Sequence, residues 1–306
     1  MDLVRDAAAL PLAALHGLER VAPPLADRLV WRMFCYPGRT TRRRQHRDAQ
    51  RLTRQGEWEP IMVPRPKARD LPGFATGPAA GPRVWLIHGW GGRAAQLSAL
   101  AFPLAAAGFR VSAVDLPGHG GAPSWQTNGF HIADGMRDWE AAEGGSPDAM
   151  VAHSFGALIA GLAFEEQPPR ATVLLAPALD LVSPVDRFAE LLRLRPRTRD
   201  ALQGRLEGIV GGRWGGLASG GHLRWPGSGP VLAVHDPEDP ETPYALSAEL
   251  AQTREDVRLL TTPGLGHVKL MHDPAVVSEA TAFLVAAMGT HERLDEVPRA
   301  PLGDTT

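Results

Sequence analysis

The chain has 306 residues, 44% of them hydrophobic and 22% charged, with a formal net charge of −2. That length and composition belong to a soluble globular protein of one large domain or two modest ones, and the near-neutral charge excludes a global pull toward nucleic acid or anionic membrane. The single cysteine, Cys35, excludes an internal disulfide and fits a reducing compartment, and arginine supplies 30 of the 32 basic residues, which reads as a composition bias.

Residues 7–15 match a signal-peptide apolar region in length, but Asp2, Arg5 and Asp6 stand where a positive segment is needed. No apolar run reaches the roughly 18–20 residues of a spanning helix, so a cytoplasmic chain is expected. Leu3, Val4, Ala7 and Leu10, then Leu25, Leu29, Val30 and Phe34, recur at helical spacing and end near Pro37 and Gly38. Residues 1–56 therefore read as an N-terminal helical extension. A basic run, Arg42, Arg43, Arg44, His46 and Arg47, follows; it reads as a solvated helix face, with weak peripheral membrane contact through the N-terminal helices as the sharper alternative. Residues 57–80 are rich in Pro and Gly and predict an edge strand at 61–63 followed by a connector.

From residue 82 the pattern changes. Short runs of Val, Leu, Ile and Ala at 84–87, 111–114, 149–151, 172–176, 231–234 and 257–260 are near-continuous rather than alternating, as in strands buried on both faces. Helix-length stretches at 94–107, 132–143, 155–166, 244–252 and 275–288 separate or follow them. Strand–helix alternation predicts an α/β chain with a mostly parallel central sheet and helices on both faces.

In such sheets chemistry collects at the carboxyl ends of the strands. Those ends carry His88-Gly89-Trp90-Gly91-Gly92, Asp115-Leu116-Pro117-Gly118-His119-Gly120, His153-Ser154-Phe155-Gly156, His235-Asp236-Pro237-Glu238-Asp239 and Gly264-Leu265-Gly266-His267. Ser154 lies between a short apolar strand and a small-residue helix, where a tight turn exposes the hydroxyl beside a base. The pattern Gly-x-Ser-x-Gly is met with Ala152 in place of the first glycine and Gly156 in place of the second. An ordinary helix N-cap serine is the competing reading, and the flanking strand, His153 and Gly156 count against it. No Cys, His and carboxylate cluster has metal-ligand spacing, so neither metal nor cofactor is expected.

With these strand ends in hand, residues 80–290 resemble an α/β-hydrolase, more narrowly a bacterial serine hydrolase with an N-terminal helical extension. The resemblance implies a three-layer α/β-hydrolase fold over residues 57–306 with a helical cap inserted at about 178–229. It also implies a triad in the chain order nucleophile, acid, histidine: Ser154, Asp239 and His267. Asp236, Glu238 and Asp239 crowd one loop; Asp239, followed four residues later by Pro243, fits the family's acid, and Asp180 is an alternative location. His272 rivals His267. The backbone N–H groups of Trp90 and Phe155 would form the oxyanion hole, the Asp115–Gly120 turn would shape the site, and His88 would be structural. Trp90, Trp125, Phe155 and Trp214 would line an apolar pocket for a small acyl substrate. A serine at the elbow removes the dehalogenases and epoxide hydrolases of this fold, which use aspartate. The expected activity is therefore hydrolysis of a carboxylic ester through an acyl-enzyme. A thioesterase or amidase with the same triad, or a non-catalytic binding protein, is the alternative.

Overall fold

The computed structural model describes residues 12–38, 47–48, 52, 58–218 and 229–289. Its strands are β1 (Glu59–Val63), β2 (Leu71–Thr76), β3 (Arg83–Ile87), β4 (Arg110–Val114), β5 (Ala149–His153), β6 (Ala171–Leu175), β7 (Val231–His235) and β8 (Val257–Thr261). The described helices are α1 (Leu12–Val21), α2 (Pro23–Phe34), α3 (Ser98–Ala106), α4 (Gly129–Ala142), α5 (Phe155–Ala163), α6 (Val182–Leu192), α7 (Pro196–Val210), α8 (Trp214–Ala218), α9 (Tyr244–Thr253), α10 (Gly266–Lys269) and α11 (Pro274–Met288).

All eight strands join one sheet in the order β1-β2-β4-β3-β5-β6-β7-β8. β2 is antiparallel to both β1 and β4, and every pairing from β4 to β8 is parallel. Successive side chains point to opposite faces. Val84 and Leu86 thus share one core with Leu100 and Leu104 of α3 and Leu284 of α11, while Trp85 and Ile87 share the other with Trp139 of α4, Ile159 of α5 and Leu250 of α9. Two apolar cores sandwich the sheet, which explains the continuous apolar runs. Trp85 and Trp139 stack with centroids 3.7 Å apart, and each donates its indole N–H to Glu143, at 2.9 and 2.8 Å. One carboxylate thereby satisfies both buried polar handles.

The edge strand expected at 61–63 is β1, but β2 corrects the reading of 64–80 as connector. Pro72 and Gly73 hide it from propensity. A Cβ on Gly73 would stand 2.4 Å from the Ala113 carbonyl oxygen, so this neighbour of β4 tolerates only glycine there. The helix expected at 94–107 divides into a 3-10 turn (Ala94–Leu97) and α3.

Helices α6 and α7 lie between β6 and β7 in the chain, and the N-terminal helices pack directly on them. Leu15 of α1 and Val30 of α2 share one apolar cluster with Val185, Leu192, Leu202 and Leu206. Phe34 meets Phe188 edge-on at 5.2 Å, the Arg195 N–H donates to Glu19 Oε1 at 3.0 Å, and Arg197 pairs with Asp27 through two 3.1 Å bonds. A smaller cluster, Leu158, Val210 and Leu217 with Phe155 at its margin, joins the end of α7 and α8 to the start of α5. Among the described residues no helix is long and apolar enough to cross a membrane. Residues 3–10 and 42–46, on which the expected membrane contact rests, lie outside the described residues.

Candidate active site

β5 ends at His153 and α5 begins at Phe155, leaving Ser154 alone to turn the chain. It does so at φ 54° and ψ −130°, a left-handed conformation that costs a non-glycine residue about 1–3 kcal/mol. Neighbours hold it there. Its N–H donates to the Leu175 carbonyl, and its own carbonyl accepts from Ala157 and Ala178, each at 3.0 Å. A Cβ on Gly156 would come 2.4 Å from the His88 carbonyl oxygen, which accounts for the second glycine. Ala152 lies inside β5 opposite Ile87 and Leu174, where a methyl group packs normally.

His267, at the start of α10, reaches the serine from the β8 side. Its Nε2 lies 2.9 Å from Ser154 Oγ and its Nδ1 lies 2.8 Å from Asp239 Oδ2. Asp239 Oδ1 accepts the backbone N–H groups of Glu241 and Thr242 at 2.7 and 3.2 Å, and the Thr242 hydroxyl donates to Oδ2 at 3.1 Å. Burial works to raise the Asp239 carboxyl, but hydrogen bonds from His235 and His267 outweigh it and hold the group well below the usual carboxylate range. Glu241 Oε2 stands 3.8 Å from His267 Nε2, on the serine-facing nitrogen.

The competing acids have other partners. Asp236 accepts from the Glu238 and Gly266 N–H groups, which lowers its carboxyl and fixes the turn carrying His267. Asp180 gives both oxygens to Ser183, at the start of α6. The His272 N–H closes the turn after α10 by donating to the Lys269 carbonyl, five residues beyond the histidine that meets the serine.

The loop after β3 approaches the serine closely. A Cβ on Gly89 would stand 2.7 Å from Ser154 Cβ. Trp90 follows Gly89, Phe155 follows Ser154, and among the described residues neither N–H is engaged by another group. Their rings meet edge-on at 5.5 Å. His88 donates Nδ1–H to the Gly89 carbonyl at 2.8 Å and accepts the Leu116 N–H at Nε2, 3.0 Å, so it ties this loop to the one after β4 as a neutral imidazole. Burial keeps it well below the usual histidine range. Asp115 does the same from the other side, accepting the N–H groups of Ala94 at 2.7 Å and Gly121 at 2.6 Å; burial raises its carboxyl to about 6. Behind the serine, His153 donates Nε2–H to the His267 carbonyl at 2.9 Å.

Of the aromatic residues expected around a pocket, Trp90 and Phe155 flank the serine. Trp125 is 62% exposed on the loop between β4 and α4, and the Trp214 side chain lies outside the described residues. Thr242 and His235, both touching Asp239, are not assigned from sequence. A threonine inside the acid–proline interval and a histidine ending β7 are their only signals. Among the described residues no cluster of His, Cys, Asp and Glu could hold a metal ion.

Parts of the chain are similar to known proteins. A family model described as "Serine aminopeptidase, S33" matches residues 79–207, and one described as "TAP-like protein" matches residues 221–296. The chain is 42% identical over 83 residues to the pimeloyl-acyl-carrier-protein methyl ester esterase of Neisseria meningitidis, covering 27% of this chain and 31% of that protein. It is 37% identical over 109 residues to the magnesium-chelatase 30 kDa subunit of Rhodobacter capsulatus, covering 34% and 38%. These matches thus span about a third of each curated relative's length. Naproxen esterase (carboxylesterase NP) from Bacillus subtilis superposes with a TM-score of 0.57 at 16% identity, covering 80% of this chain and 99% of that one, a likeness of fold.

Proposed function

Because the chain belongs to the α/β-hydrolase superfamily, we propose that it hydrolyses a carboxylic ester of a small molecule through Ser154, His267 and Asp239. The observation that carries this reading is the unbroken hydrogen-bonded path from Asp239 Oδ2 through the His267 ring to Ser154 Oγ, at 2.8 and 2.9 Å. Along that path His267 Nε2 removes the Ser154 proton as Oγ attacks the carbonyl carbon, and Asp239 stabilises the imidazolium. The N–H groups of Trp90 and Phe155 stabilise the oxyanion. His267 then protonates the departing alcohol, an acyl group remains on Ser154 Oγ, and water activated by the same imidazole releases the acid. A thioester or amide would use the same groups.

The edge-on pair of Trp90 and Phe155 supports an apolar wall beside the acyl group, and α8 with the end of α7 roofs it. Residues 12–34 belong to that roof through the α6 and α7 contacts. The lone Cys35, buried and held up to about 11 chiefly by burial, fits a reducing cytoplasmic location.

A fluorophosphonate probe tests the nucleophile. Wild-type protein is expected to label stoichiometrically and Ser154→Ala not at all, and p-nitrophenyl esters of rising acyl length should show one preferred length. Equal labelling of Ser154→Ala, or an unlabelled folded wild type, removes the proposal.

A further inference from the structure

Asp239 is the meeting point of two imidazoles. His267 Nδ1 approaches Oδ2 at 2.8 Å, and His235 Nε2 approaches the same oxygen at 3.3 Å from the β7 side. His235 and Ser247 are both 0% exposed, and Ser247 Oγ lies 2.7 Å from His235 Nδ1. The Thr242 hydroxyl sits between the rings, 3.2 Å from His235 Nε2 and 3.4 Å from His267 Nδ1.

Charge decides where the His235 proton lies. A bare nitrogen aimed at an ionised oxygen in a dry site sets lone pair against negative charge, whereas an N–H there gains a charge-assisted bond. Nδ1 is then bare and takes the Ser247 O–H. One arrangement of hydrogens satisfies the whole chain: Ser247 O–H to His235, His235 Nε2–H to Asp239, His267 Nδ1–H to Asp239, and Ser154 O–H to His267 Nε2.

We propose that His235 is a positioning residue that shares the Asp239 carboxylate with His267, its tautomer set by Ser247. The proposal rests on the triad reading above. It adds a function: an N–H on Oδ2 draws negative charge away from the His267 side, so removing that N–H tightens the carboxylate's hold on the His267 ring. The other groups facing His267 are Glu241, at 3.8 Å from Nε2, and His153, with ring centroids 4.8 Å apart; His153 in turn feels His272. Tyr244 faces His235, ring centroids 5.6 Å apart, and Asp236 adjoins it in sequence. None of these bonds Asp239 Oδ2.

Two measurements test it. The first reads tautomers without turnover: protein labelled with nitrogen-15 histidine should show His235 protonated at Nε2 and bare at Nδ1, the signal being assigned by its loss in His235→Gln. The opposite tautomer overturns the proposal. The second is the profile of kcat/KM against pH for an ester. His235→Phe should move the acidic limb up by about half a unit or more and lower kcat about tenfold. His235→Gln, which retains a donor near the Nε2 position, should restore the limb, and Ser247→Ala should move it in the same direction as His235→Phe but less. A limb unmoved in Ser247→Ala and His235→Phe alike, with only thermal stability lowered, assigns His235 a packing role and refutes the proposal. Failure of the triad reading is separately visible, as absence of fluorophosphonate labelling at Ser154.

Discussion

Gly156 bears the tightest steric constraint at the elbow. A methyl group there would meet the His88 carbonyl oxygen at 2.4 Å and Ile87 Cγ2 at 3.0 Å, both belonging to the end of β3 and the loop that carries Trp90. Gly156→Ala must therefore push the loop of Gly89 and Trp90 off the serine. It should cost about 1–3 kcal/mol in urea melts and about tenfold or more in ester turnover; turnover within twofold of wild type would show that the loop yields freely. Ala152 is a different case, because its side chain packs inside the sheet and the strain of the turn falls on Ser154 alone. The serine was legible from its setting between strand and small-residue helix. What separates Asp239 from Asp236 was legible only through a resemblance, since backbone direction decides which carboxyl meets His267 and which caps the Gly266 turn. His235 was invisible as a partner because its contact with Asp239 depends on how the chain doubles back after β7.

Among the elements, the buried parallel strands were the easiest to read, because a sheet covered on both faces leaves an uninterrupted apolar run. β2 was lost behind Pro72 and Gly73, and the alliance of α1 and α2 with α6 and α7 spans a separation that no local pattern reports. Glu19 makes that alliance specific. Its Oε1 accepts the Arg195 N–H at the start of α7, an orphan donor otherwise. Leu15 is buried against the same helices, so Leu15→Ala should remove about 2–5 kcal/mol from the roof. Amide exchange measured by mass spectrometry should then accelerate in α6 and α7 together while β3 to β7 keep their protection. Acceleration confined to α1 would show that the roof is not one unit.

Across the whole molecule, buried histidines set the response to acid. Burial pushes His119 down to about 4 and His153 to about 3, and keeps His88 well below its usual range. The unfolded chain therefore binds protons that the folded chain refuses as pH falls below about 6.5. Asp115 has the opposite sign: raised to about 6, it holds a proton when folded that the unfolded chain has lost, between about pH 4 and 6. Three histidines outweigh one aspartate, so stability should fall with pH through this window. His119→Asn can still donate to the Pro117 carbonyl, the 3.0 Å partner of Nδ1, while removing one titrating group. It should flatten the dependence of urea stability on pH by about 1 kcal/mol per unit between about pH 4.5 and 6.5. An unchanged slope would mean that His119 is charged in the folded protein.

The joining of α1 and α2 to α6 and α7 also constrains the chain as it is made. Val30 emerges from the ribosome long before Val185, its partner in the roof. At about 5–20 residues per second the interval is roughly 8–30 s. Through that time the faces of α1 and α2 that meet α6 and α7 have no native surface to cover. The nascent chain must carry them exposed, or shielded by a chaperone, until the insertion has followed.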